Sequence, residues 1–244
     1  MAITLPTQKI PVETQDPRYL IIFGKSKAGK SSALASLENN LCIDLEGGYA
    51  YLPALKVEAK SIKDIKEICA AIKEANYPYK FITIDTATAL EEMVKPLALK
   101  LYLETPAGSK FTGTNVLDAP MGQGYAKIRE AMEMVIDMIA KCAPNIILVC
   151  HTKDSAIANS EMTSKTIDLN GKSGRIFASR SDAIGYLTRD EDSNTILSFN
   201  TNDKFVECGA RPEHLRNKDI VLGKMQEDGT IVYDWSLIYP SLNK

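Results

Sequence analysis

Gly24-Lys25-Ser26-Lys27-Ala28-Gly29-Lys30-Ser31 is a complete G-x-x-x-x-G-K-[ST] phosphate-binding loop. Its flanks fit the motif. Tyr19-Leu20-Ile21-Ile22-Phe23 reads as a buried strand entering the loop, and Ser32 to Leu37 reads as a helix leaving it. A glycine-rich turn at a helix start points backbone N–H groups and the positive helix end at a phosphate. The spacing therefore makes Gly24, Lys25, Ser26, Lys27, Ala28, Gly29, Lys30, Ser31 and Ser32 the expected ATP-binding residues. Lys30 is expected to reach the β and γ phosphates, and Ser31 to hold Mg²⁺.

Working outward, the chain alternates strand and helix patterns. Leu41-Cys42-Ile43-Asp44-Leu45-Glu46 is a short apolar run ending in acids before Gly47-Gly48. Ile62, Ile65, Ile68, Cys69 and Ile72 recur at helical spacing between Ser61 and Asn76. Lys80 to Thr86 reads as a third strand, with Asp85 near its end. Leu90 to Leu103 reads as one helix, with Pro96 an early-turn residue or kink. Residues 104–124 carry four glycines and two prolines and read as a long functional loop. Tyr125 to Cys142 is amphipathic, and Asn145 to Thr152 is the most apolar strand. Residues 153–180 are polar. Beyond them Ala183–Thr188, Thr195–Asn200, Ile220–Gly223 and Thr230–Trp235 read as strands, the last two joined by an Asp228-Gly229 hairpin signal.

This order predicts an α/β fold: a mostly parallel central sheet flanked by helices, with an antiparallel C-terminal β extension over about 183–240. An arm at 1–18, punctuated by Pro6, Pro11 and Pro17, precedes a single domain over 19–244. That arm is a candidate for strand addition to a neighbouring subunit.

Composition narrows the class. The chain has 244 residues, 45% hydrophobic and 25% charged, as ordinary globular proteins do. No apolar run approaches a membrane span, and no secretory leader pattern is present, so a cytoplasmic protein is expected. Five scattered cysteines without C-x-x-C spacing argue for a reducing compartment and against a zinc site. A net charge of −2 excludes coating of nucleic acid by bulk charge but leaves room for a local basic groove.

Four further positions carry chemistry. Asp85, at the end of a hydrophobic strand, suits the Mg²⁺ shell because Mg²⁺ takes hard oxygen ligands and keeps several waters. Glu46 is placed to polarise the attacking water, with Asp44 its rival or a second Mg²⁺-shell group. His151, with Thr152, ends the most apolar strand, where a polar group can register the γ-phosphate. Lys153, Lys172, Arg175 and Arg180 follow, and suit DNA phosphates or a neighbour's nucleotide. Tyr102, Phe111 and Tyr125 around the 104–124 loop are either base-stacking or packing residues.

The phosphate loop, the acid ending the next strand and the polar residue ending a later one together resemble the RecA-like ATPase core. Glu46 matches the catalytic glutamate of that family. His151 matches its switch position, where the recombinase itself carries glutamine. Segments near 104–124 and 153–175 match its DNA-binding loops. More closely, the chain resembles phage-encoded RecA-core proteins of the AAA family and single-strand annealing type. That resemblance rests on the loop, on His151-Thr152-Lys153 and on Arg211-Pro212-Glu213-His214-Leu215. It implies ATP hydrolysis coupled to single-stranded DNA, assembly as a homo-oligomeric ring or filament, and a phage recombination or single-strand-binding partner.

Two other classes stay open. Lys25 after Gly24 is similar to the signature lysine of deviant-loop partition ATPases, which would make the chain a switch or scaffold with a protein partner. A small-molecule kinase would gather arginines around two phosphate chains, and the chain has seven, three of them between Arg175 and Arg189.

Overall fold

In the computed structural model, strand β1 (Tyr19–Phe23) runs into the phosphate loop and helix α1 (Lys30–Ala35) leaves it. The structure describes residues 7–9, 12, 15–156 and 162–243. Most of the expected arm at 1–18 lies outside them. Helix α1 starts earlier than Ser32 because Gly29, at φ 103°, turns the chain and leaves Lys30 as the first helical residue.

After α1 come β2 (Asn40–Asp44), β3 (Lys56–Glu58), α2 (Ile62–Glu74) and β4 (Phe81–Asp85). Every residue of β2 and β4 is buried, as a parallel strand covered on both faces must be. Helix α2 has a reciprocal cap. Ser61 Oγ accepts from Asp64 N–H at 3.2 Å, and Asp64 Oδ2 accepts from Lys60 N–H at 2.8 Å. The three-residue β3 escaped the sequence reading because its pattern is mostly exposed and too short to show a period.

The expected single helix over 90–103 is two helices, α3 (Ala87–Met93) and α4 (Lys95–Leu103). Val94 serves as the joint, and Pro96 stands in the first turn of α4, where its missing N–H costs nothing. The segment expected to be one long loop, 104–124, is built rather than loose. It contains short 3₁₀ turns at Val116–Asp118 and Pro120–Gly122, and it buries Val116 and Ala119. Gly124 is obligatory here: a Cβ would stand 1.9 Å from the Val116 carbonyl oxygen. Helix α5 (Gln123–Ile139) then lays Ile128, Met132, Val135, Ile136 and Ile139 on the sheet.

Strand β5 (Asn145–Cys150) is followed at once by a hairpin, β6 (Thr152–Ala156) and β7 (Thr163–Ile167), and by α6 (Ser173–Arg180). The polar stretch 153–180 is therefore structured where described. The hairpin was hidden because β6 and β7 form a separate two-stranded sheet with little apolar alternation. The rest is β8 (Ala183–Arg189), β9 (Thr195–Ser198), β10 (Gly209–Ala210), β11 (Asp219–Met225) and β12 (Ile231–Tyr233). Trp235, expected within the last strand, lies in a 3₁₀ turn instead.

Among the described residues the main sheet runs β12-β11-β9-β8-β1-β5-β4-β2-β3, with β10 beside β8. Strands β8, β1, β5, β4, β2 and β3 are parallel. The antiparallel part begins at β9, so β8 belongs to the parallel core and not to the extension as expected. Strand β5 sits between β1 and β4, with Phe23 opposite Cys150 and Asp85 opposite Val149. This interposition brings the ends of β1, β2, β4 and β5 to one edge, where ligands bind in open parallel sheets.

Two apolar layers cover the sheet. Helices α2 to α5 pack on one face, while α1 and the C-terminal Trp235, Ile238 and Tyr239 pack on the other. Trp235 Nε1–H donates to the Ala33 carbonyl at 2.9 Å, tying the C-terminal segment to the helix that follows the phosphate loop.

Candidate functional site

The C-terminal ends of β1, β2, β4 and β5 surround a cavity of about 600 Å³. It is lined on one side by Ser26, Gly29, Lys30 and Ser31 and on the other by Glu46, Asp85, Thr86 and His151. The expected ATP-binding loop thus faces the expected catalytic and metal residues across one space.

Lys30 is 6% exposed, and its Nζ donates to the carbonyls of Gly24 and Lys25, each at 2.9 Å. Burial pulls its pKa down from the usual lysine value, while Asp85 opposes that shift. Ser31 Oγ donates to Asp85 Oδ2 at 2.7 Å, joining the two expected Mg²⁺ residues over 54 positions of sequence. Burial raises the Asp85 pKa, and the Ser31 hydrogen bond works against it. Helix α1 has no side-chain cap and no acid in its first turn.

These features fit a nucleoside triphosphate with Mg²⁺. A buried ammonium faces the cavity, the N–H end of a helix is uncapped, and a hydroxyl–carboxylate pair offers hard oxygens. Among the described residues no cluster of three or more His, Cys, Asp or Glu could hold a metal by itself. Mg²⁺ at Ser31 and Asp85 would therefore complete its shell with phosphate and water.

Glu46 lies beyond the end of β2. Its Oε1 accepts from the Thr86 hydroxyl at 2.8 Å, and its Oε2 is 3.3 Å from His151 Nε2. His151 Nδ1 lies 3.4 Å from Ser26 Oγ on the phosphate loop. With the proton on Nε2, the ring donates to Glu46 and accepts from Ser26. A chain Ser26–His151–Glu46–Thr86 then crosses the cavity mouth from the loop to the start of α3. Thr86 also caps α3, accepting from Ala89 N–H at 3.1 Å, which leaves the Asp85 carboxylate to Ser31.

Asp44 does not share the site. Its Oδ1 accepts from the N–H groups of Glu46, Gly47 and Gly48 at 2.7–3.1 Å, and its Oδ2 accepts from Tyr49 N–H at 3.0 Å. Four backbone bonds engage both oxygens, so Asp44 shapes the turn that presents Glu46.

The expected cations divide. Arg180 pairs with Asp137 at 2.7 Å and with Glu133 at 3.6 Å, tying α6 to α5. Lys153 donates to the Leu169 carbonyl and lies 3.8 Å from Asp168. Lys172 and Arg175 are exposed on α6 and its start. Tyr102 is 1% exposed and packs edge-on to Phe111 at 5.2 Å, which makes these two packing anchors. Tyr125 is 43% exposed, and a Cβ on Gly171 would touch its ring. Lys25 presents its side chain to solvent, and its carbonyl serves Lys30. Arg211 of the late Arg-Pro stretch lies 3.5 Å from Asp182, just before β8, at the edge opposite the cavity.

Three contributors were missed. Ser26 was read only as a loop residue, yet its hydroxyl meets His151. Arg189 ends β8, and its Nε donates to the Ala28 carbonyl at 3.3 Å. Glu91, 2% exposed on α3, accepts from Asn170 N–H at 3.0 Å and from Asn170 Nδ2 at 2.7 Å. With Thr88 Oγ1 donating to the Asp168 carbonyl at 3.0 Å, it holds the segment after β7 against the helix that follows Asp85. Only Arg189 carried a usable signal, as a cation at a strand end beside the loop.

The sheet order, the phosphate loop and the acids beyond it define a P-loop NTPase with a RecA-like core. A family model for an AAA domain matches residues 16–212, and the chain belongs to that family. Among solved structures the RadB recombinase is similar at 13% identity, over 89% of this chain and 90% of that one, with a TM-score of 0.46. No curated protein matches. Among the described residues no helix is long and apolar enough to cross a membrane.

Proposed function

We propose that the chain binds ATP with Mg²⁺ in this cavity and hydrolyses its β–γ bond, coupled to single-stranded DNA in phage-type recombination or strand annealing. The observation that carries the reading is the convergence of Glu46 and His151, 105 positions apart, at 3.3 Å over the phosphate loop. Lys30 holds the β and γ phosphates. Ser31 and Asp85 would hold Mg²⁺, which would supply positive charge beside the transferred phosphoryl. Glu46 orients the attacking water and takes its proton. His151 touches both the loop and Glu46, so loss of the γ-phosphate changes what it contacts.

His151 also connects outward. Its carbonyl accepts from Asp168 N–H at 2.9 Å, at the end of the β6–β7 hairpin. Lys172 and Arg175 follow directly, and the partly exposed Tyr125 lies against Gly171. This cationic and aromatic rim supports DNA contact coupled to the nucleotide state. Tyr51, 98% exposed at the cavity, supports coverage of the mouth by a second copy of the chain.

The test is ATP hydrolysis by the purified chain with and without single-stranded DNA at two salt concentrations. Stimulation that weakens with salt is the expected result. A rate indifferent to DNA would overturn the coupling and favour a switch acting on a protein partner.

A further inference from the structure

Arg189 lies on the flank of the phosphate loop that the catalytic residues do not occupy. The order β8-β1-β5-β4-β2 puts Asp85, His151 and Glu46 on one side of β1 and Arg189, at the end of β8, on the other. Its guanidinium rests against the loop backbone. Nε donates to the Ala28 carbonyl at 3.3 Å, and a Cβ added to Gly29 would stand 3.1 Å from Nη2. It also lines the same cavity of about 600 Å³.

Among the described residues no carboxylate claims this cation. The adjacent acid, Asp190, spends its oxygens on Asn194, accepting from N–H at 2.8 Å and from Nδ2 at 2.9 Å. Among the described residues no ion pair involves Arg189. Its exposed guanidinium is held in place by the backbone on which a nucleotide would lie.

The geometry points to Arg189 as the positioning residue for the nucleoside end of the bound triphosphate, its guanidinium stacking on the nucleobase. This rests on the ATP reading above. With the γ-phosphate turned toward Glu46 and His151, the polyphosphate crosses the loop and its nucleoside end emerges on the β8 side. Lys30 and the loop N–H groups already serve the phosphates. Arg189 contacts the loop at the Ala28 carbonyl and beside Gly29, on the β8 flank of that cradle. A planar, weakly hydrated guanidinium stacks on aromatic faces as a compact ammonium cannot.

The experiment is calorimetric titration of the full chain with Mg-ATP and with Mg-tripolyphosphate, for wild type, Arg189→Ala and Arg189→Lys. Stacking predicts that Arg189→Ala weakens ATP binding roughly ten-fold while tripolyphosphate binding stays within about two-fold. Arg189→Lys keeps the charge, loses the plane, and should not restore ATP affinity. Equal losses for both ligands, or full rescue by lysine, would overturn stacking in favour of a phosphate contact. Unchanged ATP affinity in Arg189→Ala would overturn any nucleotide role for the residue. Wild-type protein that binds neither ligand would overturn the ATP reading, and this inference with it. Arg189 is exposed, so both variants should fold, and an unchanged melting temperature checks that directly.

Discussion

Glu46 Oε1 accepts the Thr86 hydroxyl at 2.8 Å, so the expected catalytic carboxylate is aimed by the residue that follows the expected Mg²⁺ ligand. Thr86 in turn is fixed because its Oγ1 caps α3. One hydroxyl thus couples the direction of the Glu46 carboxylate to the start of a helix.

Glu46→Gln should retain ATP binding and slow hydrolysis by about 10²–10⁴-fold, because an amide still fits but accepts no proton. Thr86→Val should slow hydrolysis less, by roughly ten-fold, and should lower the melting temperature through loss of the cap. Steady-state hydrolysis beside equilibrium ATP binding separates the two effects. Normal turnover in Glu46→Gln would remove the residue from catalysis.

Asp44 tests the turn rather than the chemistry. Asp44→Asn keeps one acceptor oxygen but sets an amide N–H₂ against backbone N–H groups. It should cost about 2 kcal/mol of stability, read by urea unfolding. ATP hydrolysis should fall as well, because Glu46 and Gly48 leave their positions. A variant with wild-type stability would show that the ionised carboxylate contributes nothing net over an amide in this turn.

Much of this site was legible because it is local. The phosphate loop declares itself in eight consecutive residues, and Asp85 and His151 each follow an apolar run. What was hidden depends on tertiary pairing. Asp44 and Glu46 sit two positions apart on one strand end, and their order in sequence does not say which oxygen the turn will consume. Ser26 meets His151 across 125 positions, and Asn170 meets Glu91 across 79, with no local pattern to announce either. The same holds for the fold. The buried β2, β4 and β5 were readable as apolar runs. The exposed β3 and the polar β6–β7 hairpin take their shape from neighbours rather than from their own periodicity.

The exposed cations make a graded prediction. If Lys172 and Arg175 touch DNA phosphates, replacing either by Ala should weaken single-stranded DNA binding and reduce the salt slope by about 1. Arg180→Ala should leave the slope unchanged, because its guanidinium already serves Asp137 and Glu133. Fluorescence anisotropy across a salt series measures all three. A slope unchanged in Lys172→Ala and Arg175→Ala would return this face to plain surface.

Glu91 makes the stability of the chain pH-dependent in a defined direction. Burial raises its pKa, outweighing the Asn170 hydrogen bonds and the attraction of Lys153, with Glu92 adding to the rise. A carboxyl raised in the folded state binds its proton more tightly there than in the unfolded chain. Its contribution to stability is therefore fullest below the unfolded value of 4.5 and declines as pH rises through the folded value. Glu91→Gln removes this titration. The stability of wild type relative to Glu91→Gln should then fall as pH rises above about 4.5, as paired melting curves across a pH series would show. A difference that stays flat, or that moves in favour of wild type with rising pH, would mean that the Asn170 bonds fully compensate the buried charge. Movement in favour of wild type would further mean that the contact between α3 and the segment after β7 gains strength with ionisation rather than losing it.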